Sequence, residues 1–95
     1  MYYLSHERVV ASNVAQTATA LTIPAAATMA LIQVDTGGLR YRMDGGVATN
    51  ALGLRLTNNL APTQVGIEEL QQISFIREGN TDVGLNVSYL SARNV

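Results

Sequence analysis

Apolar and polar residues alternate along most of this chain, and glycine, proline or asparagine interrupts the alternation every few positions. A period of two residues is the spacing of a half-buried β-strand, and the 3.6-residue period of an amphipathic helix is nearly absent. The cleanest alternation spans residues 83–90, where the apolar positions are Val83, Leu85, Val87 and Tyr89. The pattern therefore predicts an all-β domain whose strands each turn one face toward a core.

Seven or eight short strands fit this pattern. Their predicted ranges are 8–14, 17–23, 29–36, 39–43, 52–57, 63–67, 74–78 and 83–90. One helical turn is predicted at 67–72, because IEELQQ carries glutamates where the start of a helix favours negative charge. A chain of 95 residues has the length of one domain. We therefore expect a single antiparallel β-sandwich domain over 1–95.

Two turns predict hairpins of definite register. Gly37 and Gly38 can both adopt positive φ, as the centre of a two-residue hairpin turn requires. The register that follows pairs Asp35 with Arg40, Gln33 with Arg42, Val34 with Tyr41, and Ile32 with Met43. Polar residues then face polar ones and apolar residues face apolar ones, so Arg40 and Arg42 are expected on the solvent face.

A second hairpin is predicted at Gly79 and Asn80, since a type II′ turn favours glycine first. Its register pairs Arg77 with Asp82 and Ile76 with Val83, and lays Phe75 over Gly84. The alternation in all strands together predicts the core. Its predicted members are Leu21, Ile23, Ile32, Val34, Tyr41, Leu54, Leu56, Ile76, Val83, Leu85, Val87 and Tyr89.

Catalytic chemistry has few candidates in this sequence. The chain has no cysteine and one histidine, His6, so a serine hydrolase would have to recruit its base from the N-terminal segment. Asp44 with Gly45 and Gly46 resembles part of a calcium loop, but the following side chains supply no further oxygen ligands. We therefore expect no catalytic residue, no cofactor and no metal, and we read the aspartate and glycines as a turn.

Nucleic acid and membranes are not expected partners either. The formal net charge is -1, which supplies little attraction to phosphates. Arg40, Tyr41 and Arg42 could form a stacking platform only if they shared a face, whereas neighbours on a strand point to opposite faces. The apolar runs are shorter than the roughly 20 residues that a membrane-spanning helix needs.

Two segments carry a family resemblance. LTIPAAATMALIQVDTGGLRYRMDGG at 21–46 and QISFIREGNTDVGLNVSYL at 72–90 resemble small proteins encoded among the structural genes of tailed bacteriophages and prophages. The matching positions are Ala30 to Gln33, Leu39 to Arg42, Asp44, Gly45, Gly53, Leu56, Phe75, Ile76 and Leu85 to Tyr89. The resemblance implies a jelly-roll-like β-sandwich in the virion, of the capsid decoration or cement type.

The same resemblance implies partners but no catalytic residues. The expected partners are the major capsid protein or other virion proteins, together with copies of the chain itself in a trimer or larger homo-oligomer. Residues 1–14 are expected as an N-terminal arm that docks on a neighbour, and Arg40, Arg42 and Arg55 as polar interface contacts. The alternative functions are a head–tail or tail accessory protein, a carbohydrate- or receptor-binding tip, a nucleic-acid-binding protein and an enzyme.

Overall fold

The computed structural model describes residues 2–49 and 51–92. Within these ranges the chain forms eight strands, a short 3₁₀ helix at Ala18–Ala20 and one helical turn, α1, at Ile67–Leu70. The strands are β1 (Tyr2–Ala11), β2 (Gln16–Thr17), β3 (Met29–Val34), β4 (Gly38–Arg42), β5 (Leu54–Thr57), β6 (Thr63–Gly66), β7 (Ser74–Arg77) and β8 (Val83–Ser91). The predicted all-β class and strand number are thus confirmed.

Two antiparallel four-stranded sheets face each other across the core. The first sheet has the order β1-β8-β3-β6 and the second the order β2-β7-β4-β5. Strands 1 and 8, 2 and 7, 3 and 6, and 4 and 5 are paired, so the chain is one long hairpin whose two arms wind together. This winding is that of a jelly roll. The β4–β5 connection is the tip of the long hairpin.

Both predicted hairpins are wrong. β3 and β4 lie in different sheets, as do β7 and β8, so residues 35–37 and 78–82 cross from one sheet to the other. Gly37 has a φ of 70°, but Gly38 does not have a positive φ and begins β4, whereas a type I′ hairpin turn needs positive φ at both central residues. Gly79 and Asn80 lie in the second crossing.

The predicted cross-strand partners change with the topology. Asp35 contacts Arg8 and not Arg40, while Val34 pairs with Leu85 of β8. The predicted contact between Arg77 and Asp82 is present, with Nη1 2.7 Å from Oδ1, but it spans the crossing between the sheets. The predicted faces of the strands are therefore correct in places where the predicted partners are not.

The predicted core is largely confirmed. Leu21, Ile32, Val34, Leu56, Val83, Leu85, Val87 and Tyr89 are buried, and Ile23 and Tyr41 pack against the core at its margin. Two members are wrong. Leu54 is 65% exposed, and Phe75 rather than Ile76 is the fully buried residue of β7. Phe75 lies opposite Tyr41 in the second sheet, so the inner face of β7 is the face that carries Phe75.

Strand boundaries also differ from the prediction at the N-terminal end. The segment expected as an arm supplies β1, which pairs with β8 from Tyr2 to Ala11 around a bulge at Leu4. Of the strand expected at 17–23, only Thr17 belongs to a strand, because the 3₁₀ helix follows immediately. The predicted helix at 67–72 is confirmed as α1, which buries Leu70.

Candidate interaction surface

The three arginines expected at an interface all lie on the outer face of the second sheet. Arg40 and Arg42 alternate on β4, and Arg55 of β5 lies directly opposite Arg40. Two like charges opposite each other on neighbouring strands are unfavourable unless an anion neutralises them. Glu78, just beyond β7, is that anion.

Glu78 binds both arginines. Arg55 donates from Nε to Oε2 at 2.7 Å and from Nη2 to Oε1 at 2.8 Å. Arg40 Nε lies 2.8 Å from Glu78 Oε2, but the N–H is not aligned with the oxygen, so this contact is an ion pair without a hydrogen bond. The hydrogen bonds from Arg55, followed by the positive charges, hold the pKa of Glu78 below its usual value.

Arg40 and Arg42 also hold the described part of the β4–β5 connection against the sheet. Arg40 Nη1 donates to the carbonyl oxygen of Gly53 at 3.0 Å. Arg42 Nη2 donates to Asp44 Oδ2 at 2.7 Å, and the backbone N–H of Gly46 donates to Asp44 Oδ1 at 3.0 Å. These bonds, that from Arg42 first, lower the pKa of Asp44 to about 2. Asp44 is therefore engaged as a turn residue beside an arginine.

A surface of exposed leucines lies next to these arginines, along β5. Leu52, Leu54 and Leu60 are 56%, 65% and 46% exposed, and they lie on β5 or within three residues of it. We call these three residues and strand β5 the β5 surface. An open groove of about 530 Å³ begins there and is lined on its other side by Tyr41 and Met43.

The β5 surface is exposed because of where the sheets end. Leu54 and Leu56 point to the same side of β5, toward the sandwich interior. Leu56 is buried, but Leu54 lies two residues closer to the hairpin tip and is left open. The alternation predicted the correct side of the strand for Leu54. Its exposure depends on how far the opposite sheet extends over β5.

Sequence reasoning missed Glu78 and the leucines on either side of β5. Glu78 is 23 residues from Arg55, and no local pattern joins them. Leu60 stands in a turn ahead of Pro62, where alternation makes no prediction. A signal existed for Leu52 and Leu54, since they precede the core residue Leu56 at intervals of two.

One histidine–serine contact forms on the outer face of the first sheet. His6 Nδ1 lies 2.7 Å from Ser88 Oγ, across the β1–β8 pair. A hydrolytic site also needs a third group that orients the base and donors for an oxyanion. A carboxylate on the outer face of this sheet, that of Asp35, lies beside Gly84 and is held by Arg8 Nε at 2.6 Å. The contact is accounted for as a cross-strand pair.

No group of three or more histidine, aspartate or glutamate side chains among residues 2–49 and 51–92 is placed to hold a metal ion. No helix in this part of the chain is long and apolar enough to span a bilayer.

Comparison of the chain with protein-family models, with curated proteins and with solved structures gave no significant match. The segments that carry the resemblance to phage proteins can nevertheless be placed. Most of their matching positions fall on β3, β4, β7 and β8, which are the inner strands of the two sheets. These segments therefore bear mainly on the fold, and the β5 surface is an independent observation.

Proposed function

We propose that this chain is a non-enzymatic structural protein of a bacteriophage virion, of the capsid decoration or cement type, that acts through protein–protein contacts. The observation that carries the proposal is the β5 surface, an edge strand between exposed leucines. A monomeric domain rarely leaves such a row of large apolar side chains beside an unpaired strand edge unless a partner covers it.

Two further features support the proposal. The phage-like segments form the inner strands, and jelly rolls are one of the architectures used by viral capsid proteins, although a fold does not fix a function. Each arginine beside the β5 surface has a carboxylate partner within the chain, but Arg40 and Arg55 share Glu78, so the three arginines and two carboxylates keep one positive charge. The apolar side chains and the free backbone edge are therefore the main contacts that this surface offers.

A carbohydrate-binding tip has weaker support. Such sites place several exposed aromatic rings on one face, and the most exposed aromatic residues here are Tyr2 and Tyr3. They are adjacent on β1 and so point to opposite sides of the strand. Neither ring lies in the same sheet as the leucines of the β5 surface, because β1 belongs to the first sheet and β5 to the second.

The test is quantification of this protein in purified particles. Tailed particles from the source strain are separated on a density gradient, and peptides of this chain are measured by mass spectrometry against the major capsid protein. We expect a constant ratio across the particle peak, with many copies per particle. A few copies per particle would indicate a head–tail or tail accessory role, and absence from particles would refute the proposal.

A further inference from the structure

We infer that the partner covering the β5 surface is a second copy of this chain, joined by antiparallel pairing of β5 with β5 about a two-fold axis. The inference rests on the proposed function in one respect, since both treat the β5 surface as a protein-binding surface. Four features support it, namely the sheet edges, the free backbone groups of β5, the register of its side chains and the leucines on either side.

The described residues give the two sheets four edge strands, and three of them resist pairing. β1 carries a bulge at Leu4. It also carries a charged residue, Glu7, on its inner face, where Glu7 lies opposite the buried Val87 of β8. β2 is two residues long, and β6 begins directly after Pro62 and ends at α1. Bulges, inward charges, short length and proline are the devices that keep sheet edges from pairing. β5 has no bulge, no inward-facing charge and no proline, although it is only four residues long and carries Arg55 on its outer face.

The free backbone groups of β5 can be assigned from its pairing with β4. The N–H of Asn58 donates to the carbonyl oxygen of Gly37 at 3.0 Å, next to the pair Gly38–Thr57. The direction of the backbone N–H and C=O groups alternates along an antiparallel strand. The N–H and C=O of Arg55 and Thr57 therefore point away from β4. The Thr57 carbonyl also accepts the N–H of Leu60, which leaves it one lone pair.

These groups fit a second β5 in a register centred on Leu56. With Leu56 on the two-fold axis, Thr57 of each copy donates its N–H to the carbonyl of Arg55 of the other. Arg55 then lies beside threonine. A shift by one position along each strand would place Arg55 directly opposite Arg55 of the second copy, which like-charge repulsion disfavours. A two-fold contact requires a surface that complements itself, and this register satisfies that condition.

The exposed leucines fit the same arrangement. Antiparallel pairing places the start of one β5 beside the end of the other. Leu52 and Leu54 precede or begin the strand and Leu60 follows it, so the leucines of one copy approach those of the other at both ends of the contact. A four-residue strand with these leucines makes a small interface, below roughly 1,200 Å², so the dimer is weak and reversible.

Sedimentation velocity on the full chain, from micromolar to millimolar concentration, tests the inference. We expect a monomer–dimer equilibrium. Thr57→Pro removes an outward N–H while leaving the hydrogen bonds to β4, and should raise the dimer Kd about tenfold or more. Thr57→Val keeps the N–H and should dimerise as the unaltered chain does. Leu54→Asp should also disrupt the dimer, whereas Val14→Asp, at 66% exposure in a loop, should not.

Amide exchange supplies a reading that needs no variant. The N–H groups of Arg55 and Thr57 should exchange more slowly as concentration rises, while that of exposed Val14 should not change. Near-ultraviolet circular dichroism establishes that each variant is folded before its assembly is compared. A chain that stays monomeric, a trimer, or a dimer unaffected by Thr57→Pro and Leu54→Asp would overturn the inference.

The two proposals fail separately. A monomer that still purifies with particles in many copies would overturn the two-fold contact and leave the structural role in place. A dimer whose variants behave as expected, but which is absent from particles, would overturn the structural role and leave the two-fold contact in place.

Discussion

β1 and β5 are both edge strands, and they are attached to the domain in different ways. β1 is ten residues long and pairs with β8 along its whole length, and Ala11 at its end has no exposed surface. β5 is four residues long, and Leu56 is its one buried residue. β1 therefore completes the core of its own chain, whereas β5 adds little to that core and presents apolar surface outward.

The polar contacts of the two strands show the same difference. Glu7 of β1 accepts hydrogen bonds from the hydroxyl of Tyr89 and from the backbone N–H of Thr22, both inside this chain. Arg55 of β5 reaches Glu78 on the outer face of the second sheet and leaves the strand edge uncovered. Position at a sheet edge does not decide the role of a strand. That role depends on whether the side chains of the strand bond to a buried residue of their own chain, as Glu7 does, or leave the backbone edge uncovered, as Arg55 does.

Deleting β1 should have the largest effect on stability and tests this difference most directly. If residues 1–14 were the docking arm expected from the sequence, deleting them would weaken assembly more than folding. The structure predicts the opposite, because removing residues 1–11 would expose Tyr89 and the flank of β8. We expect a loss of more than about 5 kcal/mol, enough to abolish cooperative unfolding. Thermal denaturation followed by circular dichroism measures it.

Deletion of residues 1–3 is the matched control. These residues precede the Leu4 bulge, and Tyr2 and Tyr3 are exposed, so their loss should shift the midpoint only slightly. If the chain without residues 1–11 unfolded at the same temperature as the full chain, β1 would be a detachable arm and would not differ from β5 in the way described.

Most strand faces were predictable from this sequence, with β7 as the exception, and most partners were not, with the contact between Arg77 and Asp82 as the exception. Alternation is local, so it correctly placed Val34 inside and Arg40 outside. The glycine pair after β3 is compatible with a hairpin and also with a crossing between sheets, and long-range packing with β8 decides between them. The candidate surface was only partly predictable, because the exposure of Leu54 depends on where the opposite sheet ends.

Gly53→Ala tests how the start of β5 is held against β4. Gly53 has a φ of 137°, and a Cβ there would lie 3.0 Å from the carbonyl oxygen of Tyr41 and 3.2 Å from its nitrogen. Backbone atoms cannot move aside cheaply, so we expect a loss of about 2–3 kcal/mol in the free energy of unfolding. Gly45→Ala is the control, with a φ of 86° and no atom within 4 Å of the added carbon.

The control should lose only about 1 kcal/mol, from the backbone conformation alone. Urea unfolding of both variants gives the comparison. Equal losses would mean that the close approach of Gly53 to β4 does not fix the position of β5.

The smallest expected effect concerns the hydroxyl that fastens β1 to β8. Tyr89 is fully buried and donates its hydroxyl to Glu7 Oε2 at 2.5 Å. Burial first, and then the bond and negative charge of Glu7, raise the pKa of Tyr89 well above its ordinary value of 10.0. A group whose pKa is higher in the folded than in the unfolded state contributes its full stabilisation of the fold at pH values below its unfolded pKa. Stability is therefore lost as pH rises above about 10.

Tyr89→Phe should lower the free energy of unfolding by about 1–2 kcal/mol near neutral pH, because one buried hydrogen bond is lost while Glu7 keeps the one from the N–H of Thr22. It should also flatten the fall in stability between about pH 9 and pH 12, because the titrating hydroxyl is gone. The chain has no lysine to titrate in that window. Tyr3→Phe, at an exposed ring, is the control and should leave the neutral stability unchanged. Parallel pH profiles for Tyr89→Phe and the unaltered chain would show that Tyr89 does not couple β1 to β8, and that the two edge strands differ less than their contacts imply.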